Sequence, residues 1–214
     1  MSEPTTAGFP VDAAEARTDR RSARTRAALR EALIQLINEK GYDAITVGDL
    51  CERADITRGT FYNHYSDKDA LLVACEDEII AELEAIQARM NGLDLVQTTI
   101  CVKRKKPIPL LVSLFDYLRS QAYFLGAVMG PQGDPRFERN LLTRVREILM
   151  GSVLHERYRK NPTPFVNYYV TFYASAYLGV VKEWIETGMR ESSEGMAVIA
   201  QRLLFIKAGE SIKL

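Results

Sequence analysis

Residues 45–65 constrain the fold of this chain more than any other stretch, because they predict two short helices joined by a tight turn. Thr46 offers an N-cap with Asp49 three residues later, which is the spacing of a capping box. Asp55 stands at the turn, where aspartate tolerates a left-handed backbone better than most residues. Thr57 is placed to cap the following helix. A helix pair of this kind is the arrangement that sets a second helix into the major groove of DNA.

Apolar residues recur at helical spacing on both sides of this pair. Leu29, Leu33 and Ile37 predict a helix from about Arg24 that ends at Gly41, where a left-handed glycine stops it. Later apolar periods over 72–90, 107–118, 123–129, 136–160, 165–189 and 193–204 predict further helices, and no segment shows the pattern of paired strands. The expected fold is all-α, with a three-helix helix-turn-helix DNA-binding head and a helical ligand-binding and dimerisation domain.

Three segments follow from this pattern. Residues 1–21 lack an apolar period and are expected to form a flexible N-terminal tail, residues 22–68 the helix-turn-helix domain, and residues 69–214 the helical effector-binding and dimerisation domain. Ser66 is the expected N-cap of the long helix that opens the third segment. Residues 91–106 interrupt the helical pattern, and the basic run 103–106 is interpreted as a solvated surface loop, with a phosphate or acidic-partner contact as the alternative.

The charge of the chain is zero overall but uneven along its length. Residues 17–30 hold six arginines against one aspartate, so DNA affinity would come from a local basic surface. Three widely spaced cysteines without a CxxC pair favour a reducing compartment over a disulfide framework. The first ten residues do not form a signal peptide and no apolar run is long enough to span a bilayer, so we expect a cytoplasmic protein that does not enter membranes.

The motif residues resemble the tetracycline-repressor (TetR) family of bacterial transcription regulators. The resemblance covers roughly residues 22–72 and is carried by Thr46-Val47-x-Asp49-Leu50 and by Ala54-x-Ile56-Thr57-x-Gly59-Thr60-Phe61-Tyr62-x-His64-Tyr65-x-x-Lys68-x-x-Leu71-Leu72. Cys51 and Asp55 depart from the usual alanine and turn glycine, which are changes of packing and turn. The run Tyr173-x-x-x-x-Leu178-Gly179-x-x-x-x-Trp184-Ile185-x-x-Gly188-Met189 is similar to one subclass of the family's C-terminal domains, which includes a coactivator.

The third helix is the candidate recognition helix. Arg58 can bind guanine and Asn63 adenine through paired hydrogen bonds. Thr57 and Thr60 can reach a phosphate or a thymine methyl group, and Gly59 lets the backbone approach the groove. The resemblance implies that Thr46, Tyr62, His64 and Lys68 contact phosphates. On the arginine-rich segment, Arg24 is the further candidate, while Phe61 and Tyr65 are expected to pack the third helix against its neighbours.

The C-terminal segment shows no catalytic or metal-binding constellation. His64 and His155 are far apart in sequence and no ligand-spaced cluster accompanies them, so no enzyme activity, metal or cofactor is expected. An apolar effector pocket, with core packing as the alternative, is predicted from Phe115, Tyr123, Phe124, Met129, Phe137, Tyr169, Phe172 and Tyr173. A dimer interface on the last two helices is predicted from Tyr177, Val181, Trp184, Ile199 and Leu203.

These features predict a homodimeric transcription regulator that binds a palindromic operator in double-stranded DNA. The resemblance implies a repressor that an unknown small-molecule effector releases from the operator. The alternative is a coactivator that binds a small molecule and a protein partner without contacting DNA. Intact Arg58, Tyr62 and Lys68 argue against that alternative.

Overall fold

The computed structural model describes residues 11–90, 100–101, 104, 106–152 and 163–204. The described residues form helices and no strand: α1 (Val11–Lys40), α2 (Val47–Arg53), α3 (Arg58–Tyr62), α4 (Lys68–Met90), α5 (Pro109–Ser120), α6 (Ala122–Met129), α7 (Pro135–Ser152), α8 (Pro164–Glu186) and α9 (Ser193–Leu204). The all-α prediction is therefore confirmed. Most of the connection predicted over 91–106, and the end of the helix predicted to reach Lys160, lie outside the described residues.

The chain divides into two compact units, Met1–Val73 and Ala74–Leu214. In the first unit α2 packs against both α1 and α3. The side chains at the centre of this packing are fully buried: Leu29, Leu33, Ile37, Leu50, Phe61 and Leu71. Burial of these apolar side chains is the main source of stability for such a small helical unit.

The first helix is longer than the sequence predicts. It begins at Val11, whereas the apolar pattern places its start near Arg24 and a flexible tail up to residue 21. Apolar periodicity marks only the buried face of a helix, and residues 11–23 are rich in alanine and arginine, which favour helix without needing burial. Residues 11–21 are thus helical, and residues 1–10 lie outside the described residues.

Sequence predicted the residue that ends α1 and the residue that caps the start of α4. The first prediction is confirmed and the second is wrong. Gly41 has φ of +79° and donates its N–H to the carbonyl oxygen of Ile37 at 2.9 Å, which ends α1 as predicted. Ser66 is not the N-cap of α4, because Asp67 takes that position and its carboxylate accepts the N–H of Ala70 at 2.7 Å. Aspartate caps a helix as well as serine does, so sequence alone does not separate the two neighbours.

The second unit is built from packed helical pairs. Helix α9 packs against α5, and α8 packs against α6 and α7. Buried Gln201 on α9 accepts the N–H of Ile108 at 2.7 Å and donates to the carbonyl oxygen of Lys106 at 3.1 Å. One side chain thus satisfies two backbone groups that precede α5. No helix within the described ranges has the length and apolar content needed to cross a membrane.

Candidate nucleic-acid interface

Hydrogen bonds cap the N-termini of both α2 and α3. The N–H of Asp49 bonds to the Thr46 hydroxyl at 3.2 Å, and the Asp49 carboxylate accepts the N–H of Thr46 at 2.7 Å. Asp55 has φ of +52°, and the Thr57 hydroxyl accepts the N–H of Thr60 at 3.1 Å. The predicted capping box, left-handed turn residue and third-helix cap are all confirmed. The turn between the two helices is closed by the N–H of Ile56, which donates to the carbonyl oxygen of Cys51 at 3.0 Å.

Helix α3 buries one side and exposes the other. Phe61 is fully buried and its ring meets that of Tyr62 edge-on, with 5.6 Å between the centroids. Tyr65 is half-buried and its ring lies 5.9 Å from that of Phe61. The full burial of Phe61 agrees with its expected packing role, and the role of Tyr65 stays a prediction. Arg58 and Asn63 are exposed, and Tyr62 is 56% exposed. These three side chains, all predicted to contact DNA, therefore project away from the core.

The predicted DNA-contacting residues fall into two groups by exposure. Those exposed to solvent are Arg24, Thr46, Thr57, Arg58, Gly59, Tyr62 and Asn63. Those half-buried are Thr60, His64 and Lys68. Arg24 lies on α1 and Lys68 is the first residue of α4, while the others belong to α3 or lie next to α2 or α3. Their contacts with DNA stay predictions.

Lys68 has partners within the head that the motif did not indicate. Its ammonium group donates to the carbonyl oxygens of Tyr42 and Asp43 at 3.0 and 3.1 Å, and lies 4.7 Å from the centroid of the Tyr42 ring. These contacts give the residue a structural role beside the predicted phosphate contact. The motif did not reveal this role because the partners are backbone carbonyls 25 and 26 residues earlier in sequence.

Acidic groups next to α2 are paired with cations. The Lys40 ammonium lies 2.7 Å from the Asp49 carboxylate and, with the Thr46 hydroxyl, holds the pKa of that carboxyl well below its usual range. Arg53 forms two hydrogen bonds of 2.7 Å with the Glu39 carboxylate, whose pKa is lowered chiefly by this contact. Pairing reduces the negative potential of the head, which favours approach of a phosphate backbone.

The eight side chains predicted to bind an effector do not share one environment in the structure. Phe115, Phe124, Met129 and Phe137 are buried, and the rings of Phe124 and Phe137 meet edge-on at 5.7 Å. The alternative of core packing therefore describes these four side chains. Tyr123, Tyr169, Phe172 and Tyr173 are instead exposed or half-buried. Sequence could not divide the set, since an apolar residue is equally suited to a core, a pocket or an interface.

Two open cavities lie in the second unit. One of about 440 Å³ lies between α5 and the α8–α9 turn, with Asp116, Arg119 and Arg190 in its wall. The other, of about 380 Å³, lies beside the α6–α7 turn and is lined in part by Met129 and Lys182. Met129 is thus the member of the predicted effector set found in these walls. Among the described residues no cluster of histidine, cysteine and acidic groups could hold a metal ion.

One side of α8 presents large apolar side chains to solvent. Phe165, Tyr168 and Phe172 are 74%, 76% and 67% exposed, and Ala176 and Gly179 continue the exposed stripe along the helix. We call these five residues the α8 aromatic face. An exposed apolar stripe of this size on a helix is unusual for a surface that stays in water.

The residues predicted to form a dimer interface are not all available to a partner. Leu203 is 42% exposed, and Tyr177, Val181 and Ile199 are half-buried. Trp184 is 2% exposed within its own unit, so its prediction as an interface residue is corrected.

Contacts within the second unit explain the burial of Trp184. Its ring meets that of Phe115 edge-on at 5.5 Å, its indole N–H donates to the carbonyl oxygen of Glu191 at 3.2 Å, and the Arg119 guanidinium lies over the ring at 5.0 Å. The periodicity of α8 placed this residue on an apolar side, but that side faces α5.

Family comparisons cover both units. Residues 29–75 match the family model described as "Bacterial regulatory proteins, tetR family". Residues 105–205 match the model described as "Transcriptional regulator C-terminal region" of the same family.

Individual relatives match part of the chain. The chain is 40% identical over 70 residues to the HTH-type transcriptional regulator YxbF of Bacillus subtilis (strain 168), covering 32% of this chain and 18% of that protein. It is 32% identical over 91 residues to the regulator YvdT of the same organism, covering 38% and 47%. The matched segments span less than half the length of either relative.

Solved structures share the fold across most of the chain. The fatty acid degradation regulator FadR from Bacillus halodurans superposes with a TM-score of 0.57 at 18% identity, covering 84% of this chain and 94% of that one. The dihydroxyacetone kinase operon activator DhaS superposes with a TM-score of 0.54 at 21% identity, covering 84% and 93%. A TetR transcriptional regulator from Streptococcus agalactiae 2603V gives 0.55 at 21%, covering 89% and 98%. With a family model matching each of its two regions, this chain belongs to the TetR family of DNA-binding transcriptional regulators, which is not an enzyme family.

Proposed function

We propose that this protein is a homodimeric repressor that binds a palindromic operator and is released from it by a small-molecule effector. The observation that carries the proposal is the exposed side of α3, where Arg58, Tyr62 and Asn63 face solvent on a helix whose N-terminus Thr57 caps. Such a regulator would act in the cytoplasm, where the bacterial chromosome lies.

Base recognition is assigned to Arg58 and Asn63. A guanidinium can donate two hydrogen bonds to guanine, and a carboxamide can pair in the same way with adenine. Thr46, Tyr62, His64 and the exposed arginines of α1 supply phosphate contacts, which set orientation and salt dependence. Two heads in a dimer would bind half-sites about one helical turn apart, roughly 34 Å or somewhat more.

Dimerisation is assigned to the α8 aromatic face together with Leu203. Phe165, Tyr168 and Phe172 would be withdrawn from water by a partner copy, and Ala176 and Gly179 would let the partner's helix approach closely. Leu203 of α9 adds exposed apolar surface that suits the same partner.

The dimer assignment is tested by sedimentation of the purified protein. Phe172→Glu should convert a dimer into a monomer, because a carboxylate would be buried without a partner in the interface. Val73→Glu is the matched control, since Val73 is also an exposed apolar residue but lies on α4. A Phe172→Glu protein that stays dimeric would remove the face from the interface.

Effector release is assigned to a shift between two dimer states. An effector lowers operator affinity only to the extent that it binds the state unsuited to DNA more tightly. Buried Phe115, Phe124 and Phe137 belong to the core of the second unit, so the effector would meet the helices around this core and not these rings in their present positions.

A coactivator without DNA binding is the second candidate. Its activating role, in place of repression, is suggested by the shared fold with DhaS, which is described as an operon activator. The exposed Arg58 and Asn63 weigh against it, because a protein that had lost DNA binding would not need these side chains in solvent.

The proposal is tested by selecting bound duplexes from a random library at physiological salt. Recovery of a palindromic site is the expected result. Asn63→Ala should then weaken binding to that site by about 5- to 150-fold, the range for one paired base contact, and leave affinity for random DNA nearly unchanged. Salt-sensitive binding without any enriched sequence, or no binding, would overturn the repressor proposal and favour the coactivator.

A further inference from the structure

Gly48 lies in the first turn of α2, directly beneath the side chain of Arg58 on α3. A methyl group at Gly48 would come within 3.0 Å of Nη2 and 3.9 Å of Cζ of Arg58, and within 3.4 Å of the Thr46 hydroxyl oxygen. The first of these distances is shorter than an ordinary van der Waals contact. A side chain at position 48 would therefore push the end of the Arg58 side chain away from its present position by a few tenths of an ångström.

The backbone at Gly48 does not itself require glycine. The residue has helical geometry, unlike Gly41 and Gly188, which have positive φ. Glycine inside a helix weakens it relative to alanine, so local propensity disfavours the residue that is present. The space above Gly48, which the Arg58 guanidinium fills, gives a physical reason for its presence.

We infer that Gly48 is a positioning residue that holds the Arg58 guanidinium across α2 and so sets which base Arg58 contacts. This inference rests on the proposed function, in which Arg58 recognises guanine. A guanidinium ordered in the free protein loses less conformational freedom when it binds a base. The base specificity of Arg58 then depends on α2 as well as on α3, the recognition helix that carries this residue.

Charges around the guanidinium agree with this placement. Burial raises the pKa of the Cys51 thiol, and the positive charge of nearby Arg58 opposes this rise in part. The nearby Asp49 carboxylate is engaged by Lys40 and Thr46. The positive charge of exposed Arg58 thus stays available to DNA.

A double-mutant cycle of Gly48→Ala and Arg58→Ala tests the inference on the selected operator and on random duplex. Gly48→Ala alone should weaken operator binding by about 2- to 10-fold, the cost of ordering one long side chain, and reduce the preference at the guanine position. In the Arg58→Ala background the same change should have no effect on affinity or on base preference. A loss of equal size in both backgrounds would show that DNA approaches Gly48 directly and would overturn the inference.

A measurement without DNA separates this inference from the proposed function. NMR relaxation of the Arg58 Nε–H group should show an ordered side chain in the unchanged protein and a more mobile one in Gly48→Ala. Thermal unfolding of both proteins checks that the head stays folded, and alanine in the helix should not lower the midpoint. Equal mobility in the two proteins would overturn the inference, whereas failure of the unchanged protein to select any operator would overturn only the proposed function.

Discussion

The ammonium group of Lys68 donates hydrogen bonds to the carbonyl oxygens of Tyr42 and Asp43. The Tyr42 hydroxyl in turn donates to the carboxylate of Asp69 at 2.5 Å. Together these bonds link the loop after α1 to the first turn of α4. A residue of the DNA-binding motif thus also stabilises the head that carries the motif.

Lys68→Ala should lower the free energy of unfolding by about 1.5–3 kcal/mol, the range for a hydrogen-bonded charged group. The change also removes the cation–π contact with Tyr42. Urea titration followed by circular dichroism measures the effect. Arg21→Ala, which removes an exposed cation from α1, should change stability by less than about 0.5 kcal/mol. Unchanged stability in Lys68→Ala, with uniformly weaker DNA binding, would show that the lysine serves phosphate contact alone.

Trp184→Ala should destabilise the second unit by about 3–5 kcal/mol, because it leaves a large cavity beside Phe115 and Arg119. Trp184→Phe keeps the packed ring but loses the hydrogen bond to Glu191, so its loss should be clearly smaller. Unfolding of both variants in guanidinium chloride measures the difference in their free energies of unfolding. If Trp184→Ala instead kept its stability and lost self-association, the indole would belong to the interface after all.

The stability of the second unit should fall as pH rises above the ordinary glutamate pKa of 4.5 because of Glu76. Burial raises the pKa of this carboxyl, and a hydrogen bond with Asn140 opposes the rise only in part. The folded state therefore holds the proton more tightly, so this stabilisation is complete below 4.5 and is lost as pH passes the folded pKa.

Glu76→Gln should accordingly raise the melting temperature at pH 8 more than at pH 4. Calorimetry at the two values measures the difference. Glu78→Gln, an exposed position two residues along α4, is the matched control and should show a smaller dependence. An equal change for Glu76→Gln at both pH values would mean that its carboxyl is not perturbed.

Gln201→Leu should cost about 2 kcal/mol, because the buried N–H of Ile108 and the part-buried carbonyl oxygen of Lys106 would both lose their partner. Thermal unfolding measures this loss. Gln35→Leu replaces a glutamine whose bonds to Glu31 and Arg53 are exposed, and it should have a much smaller effect. Similar values for the two variants would show that water replaces the amide of Gln201.

Local chemistry made the head predictable from sequence. A cap such as Thr46 with Asp49, a stop such as Gly41 and a turn residue such as Asp55 depend on neighbours a few residues away. Their geometry follows from backbone rules that hold in any fold. The structural role of Lys68 and the inferred role of Gly48 depend on contacts with residues of other elements. No short sequence pattern therefore indicates these roles.

The second unit was predictable only in outline. Phe115 and Phe172 are both apolar residues on helical stripes, yet one is buried and the other is 67% exposed. Periodicity identifies an apolar side of a helix without saying whether it faces its own core, a ligand or another chain. The start of α1 shows the converse, since its first turns are helical without an apolar stripe.

The buried position of Trp184 also makes this residue an intrinsic fluorescence probe of the second unit. It is the single tryptophan in the sequence, so selectively excited indole fluorescence reports on the second unit and contains no signal from the head. Its emission should be that of an indole shielded from water, and any compound that displaces Arg119 from the ring should change the intensity. Compounds that act on the second unit can thus be found by fluorescence titration of the unlabelled protein, before any operator is known.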